Sequence, residues 1–350
     1  GTTTADKIAA SVTFVTNTSR VYQNTTVSGV NTISVYAKPN EITEMFLYGL
    51  GANNGIYFDL DNGSFLSYVS GTTNIVDYNI NNEGNGWYRY SITFSVTNTR
   101  YEIYLSKNEN YVNNFTEGEG FFLWNAQAEN SLVATDYIET TTSAVYEGIT
   151  DDVPRVDYSG GGCPSLLLES QRTNLVPHSE YFGDWGTFRS SITANDATSP
   201  EGLTNSYKLI QQSGETTSGG VYKNISVSTS TTYTYSFFAK AAGYNWSYAR
   251  VIHSTDNFYA WFDLDNGVVG NTTGSGVTSS IEDYGSGWYK CSITYTSTTT
   301  SASLNIYIAD TNGSGTISNP DGVKGIHIYG AMVEAGSYST SYIPTYGVSS

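Results

Sequence analysis

The chain has 350 residues, of which 13% are charged, and 32 acidic side chains outnumber 15 basic ones to give a net charge of −17 at pH 7. Such a chain would repel a phosphate backbone, which argues against a nucleic-acid partner. No run approaches the roughly 18 apolar residues of a membrane helix, which argues against membrane insertion. The 30 tyrosines, the 35 glycines and the abundant Ser, Thr and Asn predict an all-β protein.

Strands in the first half alternate apolar and polar residues, so their two faces can be assigned. The segment 87–95 places Tyr90 and Ile92 inward and Trp87 and Arg89 outward. The same alternation places these residues inward: Ile56, Phe58, Leu60, Ile103 and Leu105. It places these residues outward: Tyr57, Asp59, Asp61, Glu102 and Tyr104. The segment 61–63, Asp-Asn-Gly, then tolerates the positive φ of a tight hairpin.

A connector follows the first set of strands. Four of the seven prolines (Pro154, Pro164, Pro177 and Pro200) fall between 151 and 201, beside the Ser-Gly-Gly-Gly run at 159–162. Such clustering marks a link between folded units. We therefore predict a first domain over 1–146, a linker over 147–173 and a second domain over 174–350.

The two cysteines are 128 residues apart, with Cys163 in the linker and Cys291 in a strand. Neither chelates zinc nor staples a small scaffold at this spacing, so the redox compartment stays open. The sequence around Tyr90 recurs around Cys291, which takes its place, and we predict that Cys291 is a small buried residue.

The second half repeats the first. Segment 58–63 returns as 262–267 and segment 86–88 as 287–289, at offsets of 204 and 201 residues. An offset that drifts so little indicates a duplicated domain whose loops changed length. In the second copy Phe262 and Leu264 point inward, whereas Trp261 points outward. Many strands separated by such turns predict two tandem jelly-roll β-sandwich domains.

The first copy lacks an opening strand. The second copy runs from Asn174 through Trp185 before it reaches Gly202, which matches Gly1. Either the chain is an excerpt of a longer array, or the strand comes from a neighbouring polypeptide and covers a sheet edge. The second alternative predicts that the isolated chain self-associates.

Outward positions collect aromatic and charged residues in both copies, which suits a sugar whose C–H face packs on a ring while its hydroxyls bond to charges. If the strands are neighbours, the predicted glycan face comprises Tyr36, Tyr57, Asp59, Trp87, Arg89 and Tyr104 in the first copy, and Phe238, Trp261, Asp263, Trp288, Lys290 and Tyr307 in the second. The alternative is that a loop, the other domain or another subunit covers this face, with the aromatics as satellite core.

Catalytic and metal motifs are weak. Asp59 and Asp61 form an Asp-x-Asp pair, yet the second member, Asp61, sits at a hairpin mouth where Asp is favoured by turn geometry. No nucleophile motif is present, so we predict that the chain is not an enzyme. Segment 310–321 has the oxygen spacing of a calcium loop. A proline precedes its last ligand and strands flank it, so we predict a plain loop and no cofactor, with calcium as the alternative.

Two regions carry a resemblance. The linker, through Pro154-Arg155-Val156 and 163–175, resembles a connector of phage tail fibre and tail-associated proteins. The module ends, 126–138 and 331–345, resemble closing strands of the jelly-roll modules attached to it, although the first copy departs at Asp136, Glu139 and Thr140. The modules resemble concanavalin-like and carbohydrate-binding jelly rolls. The resemblance implies a β-sandwich that displays or binds glycans on an extracellular or virion fibre, and it brings no catalytic residues.

We therefore predict a non-enzymatic structural and glycan-recognition segment of a phage tail fibre or similar extracellular fibre. Its expected partners are a cell-surface polysaccharide and other fibre subunits or further copies of itself. One alternative is a pair of carbohydrate-binding modules from a large secreted polysaccharide-degrading enzyme. Another is a structural subunit of an extracellular filament or adhesin, with the aromatic faces buried between subunits.

Overall fold

A computed structural model describes residues 5–11, 14–17, 19–69, 72–140, 143–145, 155–157, 165–167, 169–254 and 256–347. The chain divides into two compact units, Gly1–Thr150 and Asp151–Ser350. Each unit contains two principal antiparallel sheets, which confirms the predicted all-β fold of two β-sandwiches. The described residues form strands and one 3₁₀ turn, Phe182–Asp184, so no helix among them is long enough to cross a membrane.

The first unit contains twelve strands within its described residues. They are β1 Asp6–Ala9, β2 Phe14–Asn17, β3 Arg20–Val27, β4 Asn31–Lys38, β5 Glu44–Gly49, β6 Asn54–Asp59, β7 Ser64–Tyr68, β8 Ile75–Gly84, β9 Trp87–Phe94, β10 Asn98–Ser106, β11 Asn113–Phe115 and β12 Gly120–Glu129. One sheet has the order β1-β12-β4-β9-β8 and the other the order β3-β10-β5-β6-β7, while β11 and β2 form a separate pair.

The core of the first unit lies between these two sheets. It contains Ile33 and Tyr90 from one sheet and Met45, Ile56 and Ile103 from the other. The alternation read from the sequence is confirmed, since the residues predicted to point inward all belong to this cluster. The side chains that point away from the core therefore form two outer faces, one on each sheet.

The second unit contains fourteen strands within its described residues. They are β13 Arg155–Asp157, β14 Ser165–Leu167, β15 Gly186–Phe188, β16 Ser190–Ala197, β17 Ser206–Gln211, β18 Gly220–Ser226, β19 Thr232–Ala242, β20 Trp246–Ile252, β21 Asn257–Asp263, β22 Val268–Thr273, β23 Thr278–Asp283, β24 Trp288–Thr296, β25 Ser301–Ala309 and β26 Gly325–Ala335. The sheets have the orders β16-β17-β26-β19-β24-β23 and β15-β18-β25-β20-β21-β22, and β13 pairs with β14 inside the predicted linker.

Each main sheet of the second unit has one strand more than its counterpart in the first. β17 and β18 occupy the sheet positions of β1 and β3, and the extra strands β16 and β15 pair with their free edges. Among the described residues of the first unit, β1 and β3 are edge strands. Cys291 is free and fully buried in β24, as predicted, whereas Cys163 lies outside the described residues.

Candidate functional site

The residues predicted to form one glycan face per unit lie on two different sheets. In the first unit, the outer face of the β1-β12-β4-β9-β8 sheet, here the β4 face, holds Tyr36, Trp87 and Arg89. The outer face of the β3-β10-β5-β6-β7 sheet, here the β5 face, holds Tyr57 and Tyr104. The strands that carry these residues therefore do not form one sheet, as the predicted single face required. Alternation shows which side chains share one side of a strand, but it does not show which strands share a sheet.

The second unit divides its predicted residues in the same way. Phe238, Trp288 and Lys290 lie on the outer face of the sheet that contains β19, here the β19 face. Trp261 and Tyr307 lie on the outer face of the sheet that contains β20, here the β20 face. Four faces, two in each unit, are thus the candidates for a binding site.

The two aspartates of the predicted face cap hairpin turns. The Oδ1 atom of Asp59 accepts hydrogen bonds from the backbone N–H of Asp61 at 2.9 Å and of Asn62 at 3.2 Å. Asp263 accepts the equivalent bonds in its own hairpin at 3.0 and 3.1 Å. The turn closes on Gly63 at φ +59°, where a Cβ atom would lie 2.1 Å from the ring of Tyr88. These carboxylates stabilise turns, and the cap comes from Asp59 rather than from Asp61, the residue to which the sequence assigned turn geometry.

A row of aromatic rings crosses the β5 face of the first unit. Tyr104, Phe46 and Tyr57 lie in register on β10, β5 and β6. The Phe46 ring centroid is 4.6 Å from that of Tyr57 and 5.4 Å from that of Tyr104. Tyr111, from the loop after β10, stacks on Phe46 at 5.1 Å. The row forms a flat apolar floor on the outside of the sandwich.

A pocket of about 300 Å³ opens beside this row. Its lining combines rings, aliphatic groups, an amide and two opposite charges: Phe46, Tyr48, Leu50, Asn53, Val69, Arg100, Glu102, Tyr104 and Tyr111. Phe46 and Tyr104 are buried, whereas Tyr48 and Tyr111 are half-buried and Asn53 is exposed. The pocket therefore has an aromatic floor and a polar rim.

The charge in the pocket is balanced around one buried carboxylate. Glu102 is 1% exposed and forms ion pairs with Arg100 and, at 3.7 Å, with Arg20. It also accepts a hydrogen bond from the hydroxyl of Tyr104, and burial raises the pKa of that hydroxyl to about 12. Arg20 and Arg100 both lie over the exposed ring of Tyr22, which extends the aromatic surface to the sheet edge.

The β20 face of the second unit has the same row of rings beneath a cover. Tyr307, Tyr248 and Trp261 stack at 4.4 and 4.8 Å and are 6 to 8% exposed. The indole N–H of Trp261 donates to the carbonyl of Ser314 at 3.4 Å. Phe188 of the extra strand β15 packs edge-on against Tyr307. This row therefore matches the alternative interpretation of the sequence, in which a loop covers the face and the aromatic residues form a satellite core.

The loop that covers the row is the one with calcium-like spacing. The Oδ2 atom of Asp310 accepts a hydrogen bond from the backbone N–H of Ser318 at 2.9 Å. Asp321 accepts from the backbone N–H groups of Val323 and Lys324 at 2.9 and 2.8 Å. The two carboxylates at the ends of the spacing thus cap two separate backbone turns.

The β19 face of the second unit is closed. Trp288 is 1% exposed and its indole N–H donates to the carbonyl of Thr198 at 2.9 Å. Lys290 is buried, donates to the carbonyl of Thr340, and has a pKa lowered by desolvation. Neither residue is available to a ligand, so the structure contradicts their placement on a glycan face.

The β4 face of the first unit is half-open. The rings of Tyr36 and Trp124 are 5.3 Å apart, and the guanidinium of Arg89 lies 5.3 Å above Tyr36. Arg89 donates to the hydroxyl of Ser34 at 2.9 Å. Trp87, unlike Trp288, is half-buried. Three of the predicted residues are thus brought together here, with Trp124 as an unpredicted neighbour.

The sequence analysis did not identify most of the pocket. Phe46 and Tyr48 lie on β5, where five of the six residues between Glu44 and Gly49 are apolar or glycine, so no alternation marks the outer side. The register with β6, in which Met45 opposes the core residue Phe58, is the signal that would have placed Phe46 outward. Tyr111 lies in a loop and carries no periodic signal.

The fold and the pocket together define a tandem β-sandwich protein with an aromatic-floored surface site. No family model and no curated protein sequence matches the chain. Among solved structures, the chain is similar to the CBM22-1 and GH10 modules of endo-1,4-β-D-xylanase 10B from Clostridium thermocellum, complexed with xylohexaose. That similarity has 15% identity and a TM-score of 0.26, and it covers 49% of this chain and 29% of that one.

The chain is also similar to the N-terminal CBM22-1–CBM22-2 tandem domain of Xyn10C from Paenibacillus barcinonensis. Here the identity is 11% and the TM-score 0.29, over 95% of this chain and 98% of that one. The chain spans less than a third of the length of the first structure and nearly all of the second. At TM-scores below 0.3 neither similarity assigns a ligand to this chain.

Proposed function

We propose that the chain is a non-catalytic glycan-binding segment and that the pocket on the β5 face of the first unit holds the sugar. The observation that carries the proposal is the juxtaposition of the rings of Phe46, Tyr48 and Tyr111 with the Arg100–Glu102 ion pair. A pyranose presents a C–H face, which packs on rings, and equatorial hydroxyls, which bond to guanidinium and carboxylate groups at the edge.

The size and the exposure of the pocket fit this ligand. Its volume of about 300 Å³ is at the small end of ligand sites and suits one short saccharide unit of a longer polymer. Tyr48 and Tyr111 stay half-buried at the rim, so they need no rearrangement to contact a sugar. The exposed ring of Tyr22 lies further along the same face and offers a second contact to an extended chain.

A binding role suits the carboxylate better than a catalytic one. Glycoside hydrolysis uses a pair of carboxyl groups, one to donate a proton and one to stabilise charge or attack. The lining of this pocket contains one, Glu102, which is held by two guanidinium groups and a tyrosine hydroxyl. Bonded in this way, Glu102 positions the two arginines, and the lining offers no second carboxyl group to complete a hydrolytic pair.

The kind of larger protein that contains this site is a separate question from the binding role of the pocket. One of the similar structures contains CBM22-1 and GH10 modules of a xylanase and the other a CBM22 tandem, which is in line with one predicted context, carbohydrate-binding modules of a secreted polysaccharide-degrading enzyme. The tail-fibre context rests only on the resemblance of the connector sequence and stays a prediction. Both contexts place the chain outside the cell and give this pocket the same task.

The test is a glycan array and a polysaccharide pull-down on the full chain, beside a Tyr48→Ala/Tyr111→Ala variant. Removing both rim rings should weaken binding at least about tenfold, equivalent to ~1.4 kcal/mol. Tyr338→Ala is the matched control, since that tyrosine is 52% exposed in the second unit and does not line the pocket.

Two results would count against the proposal. Equal binding by the double variant would move the site away from the pocket. Absence of binding to every polysaccharide by the unaltered chain would favour the structural filament or adhesin subunit.

A further inference from the structure

The β4 face of the first unit corresponds to a face that the second unit covers with its own chain. The strands β12, β4 and β9 occupy the same sheet positions as β26, β19 and β24. The closing segments match in detail. Thr135 donates to Glu129 through its backbone N–H at 3.0 Å and its hydroxyl at 2.6 Å, and Thr340 makes the same two bonds to Glu334 at 2.8 and 2.7 Å.

In the second unit, segment 174–179 lies along the edge of β26 where β17 no longer pairs with it. The backbone N–H of Leu175 donates to the carbonyl of Val333 at 2.8 Å, and that of Ala331 donates to the carbonyl of Ser179 at 2.8 Å. The side chain of Asn174 accepts from the N–H of Val333 at 3.1 Å and donates to the carbonyl of Ala331 at 3.2 Å. The segment thus adds to the sheet as a short strand would.

The residue that follows this segment, Glu180, places a carboxyl group over the β19 face. Glu180 is 2% exposed and accepts hydrogen bonds from the hydroxyls of Tyr329 at 3.0 Å and Tyr342 at 3.3 Å. The following residues complete the cover, since Phe182 and Trp185 are both buried. The segment 174–185 therefore binds the β19 face through two side chains, Asn174 at the sheet edge and Glu180 six residues later.

The first unit keeps the groups that receive such a segment. Trp124 replaces Tyr329 and offers an indole N–H, and Tyr137 replaces Tyr342 and is held by the same closing turn. Arg89 adds a positive charge. It is 7% exposed and its Nε atom has no hydrogen-bond partner among the residues that the structure describes. Those residues of the first unit contain no counterpart of 174–185, and Tyr36 and Trp124 remain half-buried.

We propose that the β4 face binds an extended polypeptide segment of the kind that 174–185 provides to the second unit. The segment carries an amide side chain that bonds to the edge of β12 at Ala126 and Ala128, and a carboxyl group that reaches Trp124 and Tyr137. The internal repeat supplies the argument, because the equivalent surface of the second unit is occupied by a segment of this chemistry. The site is distinct from the sugar pocket on the opposite sheet, so either can fail without the other.

The test tethers a segment to the face, which brings it to an effective concentration in the millimolar range. A second copy of residues 171–201 is fused ahead of Gly1, so that its last residue joins Gly1 as Glu201 joins Gly202. The fusion should raise the melting temperature of the first unit by about 4 °C or more. It should also protect the indoles of Trp87 and Trp124 from acrylamide quenching.

Two control fusions separate recognition from mere attachment. One carries a scrambled 174–185 sequence, and the other carries Asn174→Ala and Glu180→Ala in the added copy alone; both should lose the protection of the indoles. An unchanged melting temperature and quenching with the native copy, or equal effects with the scrambled copy, would overturn the proposal. So would protection of these indoles by a polysaccharide that the fused copy does not block, since the occupant would then be a sugar.

Discussion

The two units share one sandwich and differ in what lies on it. Trp288 is 1% exposed beneath Thr198, whereas its counterpart Trp87 is half-buried. The residues that close the second unit, 174–205, precede its shared strands and have no counterpart among the described residues of the first. Duplication therefore preserved the core, and segments outside it decide which aromatic faces remain open to a ligand.

The same contrast separates the two rows of stacked rings. The ion pair of Arg100 and Glu102 beside the first row is replaced by Ser303 and Asn305 beside the second, at an offset of 203 residues. Ser314 stands at the position of Tyr111 and covers the second row with a backbone carbonyl. The row in the first unit is thus suited to a ligand, and the row in the second unit is part of the interior.

The largest expected difference between the units concerns their paired tryptophans. Trp288→Ala should lower the free energy of unfolding of the second unit by about 3 to 5 kcal/mol, because it empties a buried volume and leaves the carbonyl of Thr198 without its donor. Trp87→Ala should cost the first unit about 1 kcal/mol, since much of that ring already contacts water. Hydrogen exchange of β24 and β9 assigns each loss to its unit.

This pair of variants also tests the cover itself. Similar losses in the two units would mean that Trp87 is buried as deeply as Trp288, and the contrast between open and closed faces would fail. Because Trp288→Ala is expected to destabilise the second unit, a loss of glycan binding in this variant would report unfolding. Trp288 is therefore unsuitable for mapping a sugar site.

A smaller effect concerns Glu180, the buried carboxyl group that the segment 174–185 supplies to the β19 face. Burial raises the pKa of Glu180 to about 8 from an ordinary value near 4.5, against the opposing hydrogen bonds of three tyrosine hydroxyls. Glu201 acts in the same direction as burial. A carboxyl with a raised folded pKa holds its proton in the folded state, so its contribution is greatest at low pH and is lost as the pH rises from about 4.5 to about 8.

Glu180→Gln should remove this dependence. In the unaltered chain, the free energy of unfolding of the second unit should decrease as the pH rises, by up to about 1.4 kcal/mol per pH unit. In the variant this decrease should be smaller. Urea unfolding at several pH values measures it, with Glu282→Gln as an exposed acidic control. Equal slopes in the variant and the unaltered chain would show that Glu180 is ionised in the folded unit.

The sequence predicted the core because burial leaves a periodic record. Phe58, Tyr90 and Ile103 alternate with outward residues, and all three lie between the sheets. Sheet membership left no such record. Trp87 and Tyr57 both point outward, yet they lie on opposite sheets, since strand order depends on the path of the chain in space.

The pocket was harder to predict for two physical reasons. β5 is apolar at both its inward and its outward positions, so Phe46 and Tyr48 cannot be separated from Met45 by alternation. The other contributions come from a loop, at Tyr111, and from the burial of Glu102 against two arginines, which depends on pairings between β3 and β10 that no local pattern specifies.

The smallest expected effect is one that the two units should share. Asp59 and Asp263 each bond to two backbone N–H groups of their hairpins, with distances that agree within 0.1 Å, and both are backed by a glycine at positive φ. Replacing either residue by alanine should cost its own unit about 1 kcal/mol, the usual contribution of such partly exposed bonds. Because the hairpin lies outside the segments that differ, the two losses should be equal within error in urea unfolding followed by hydrogen exchange. A loss confined to Asp263 would mean that the cover stabilises even the shared turns, and the units would then differ in their cores as well as on their surfaces.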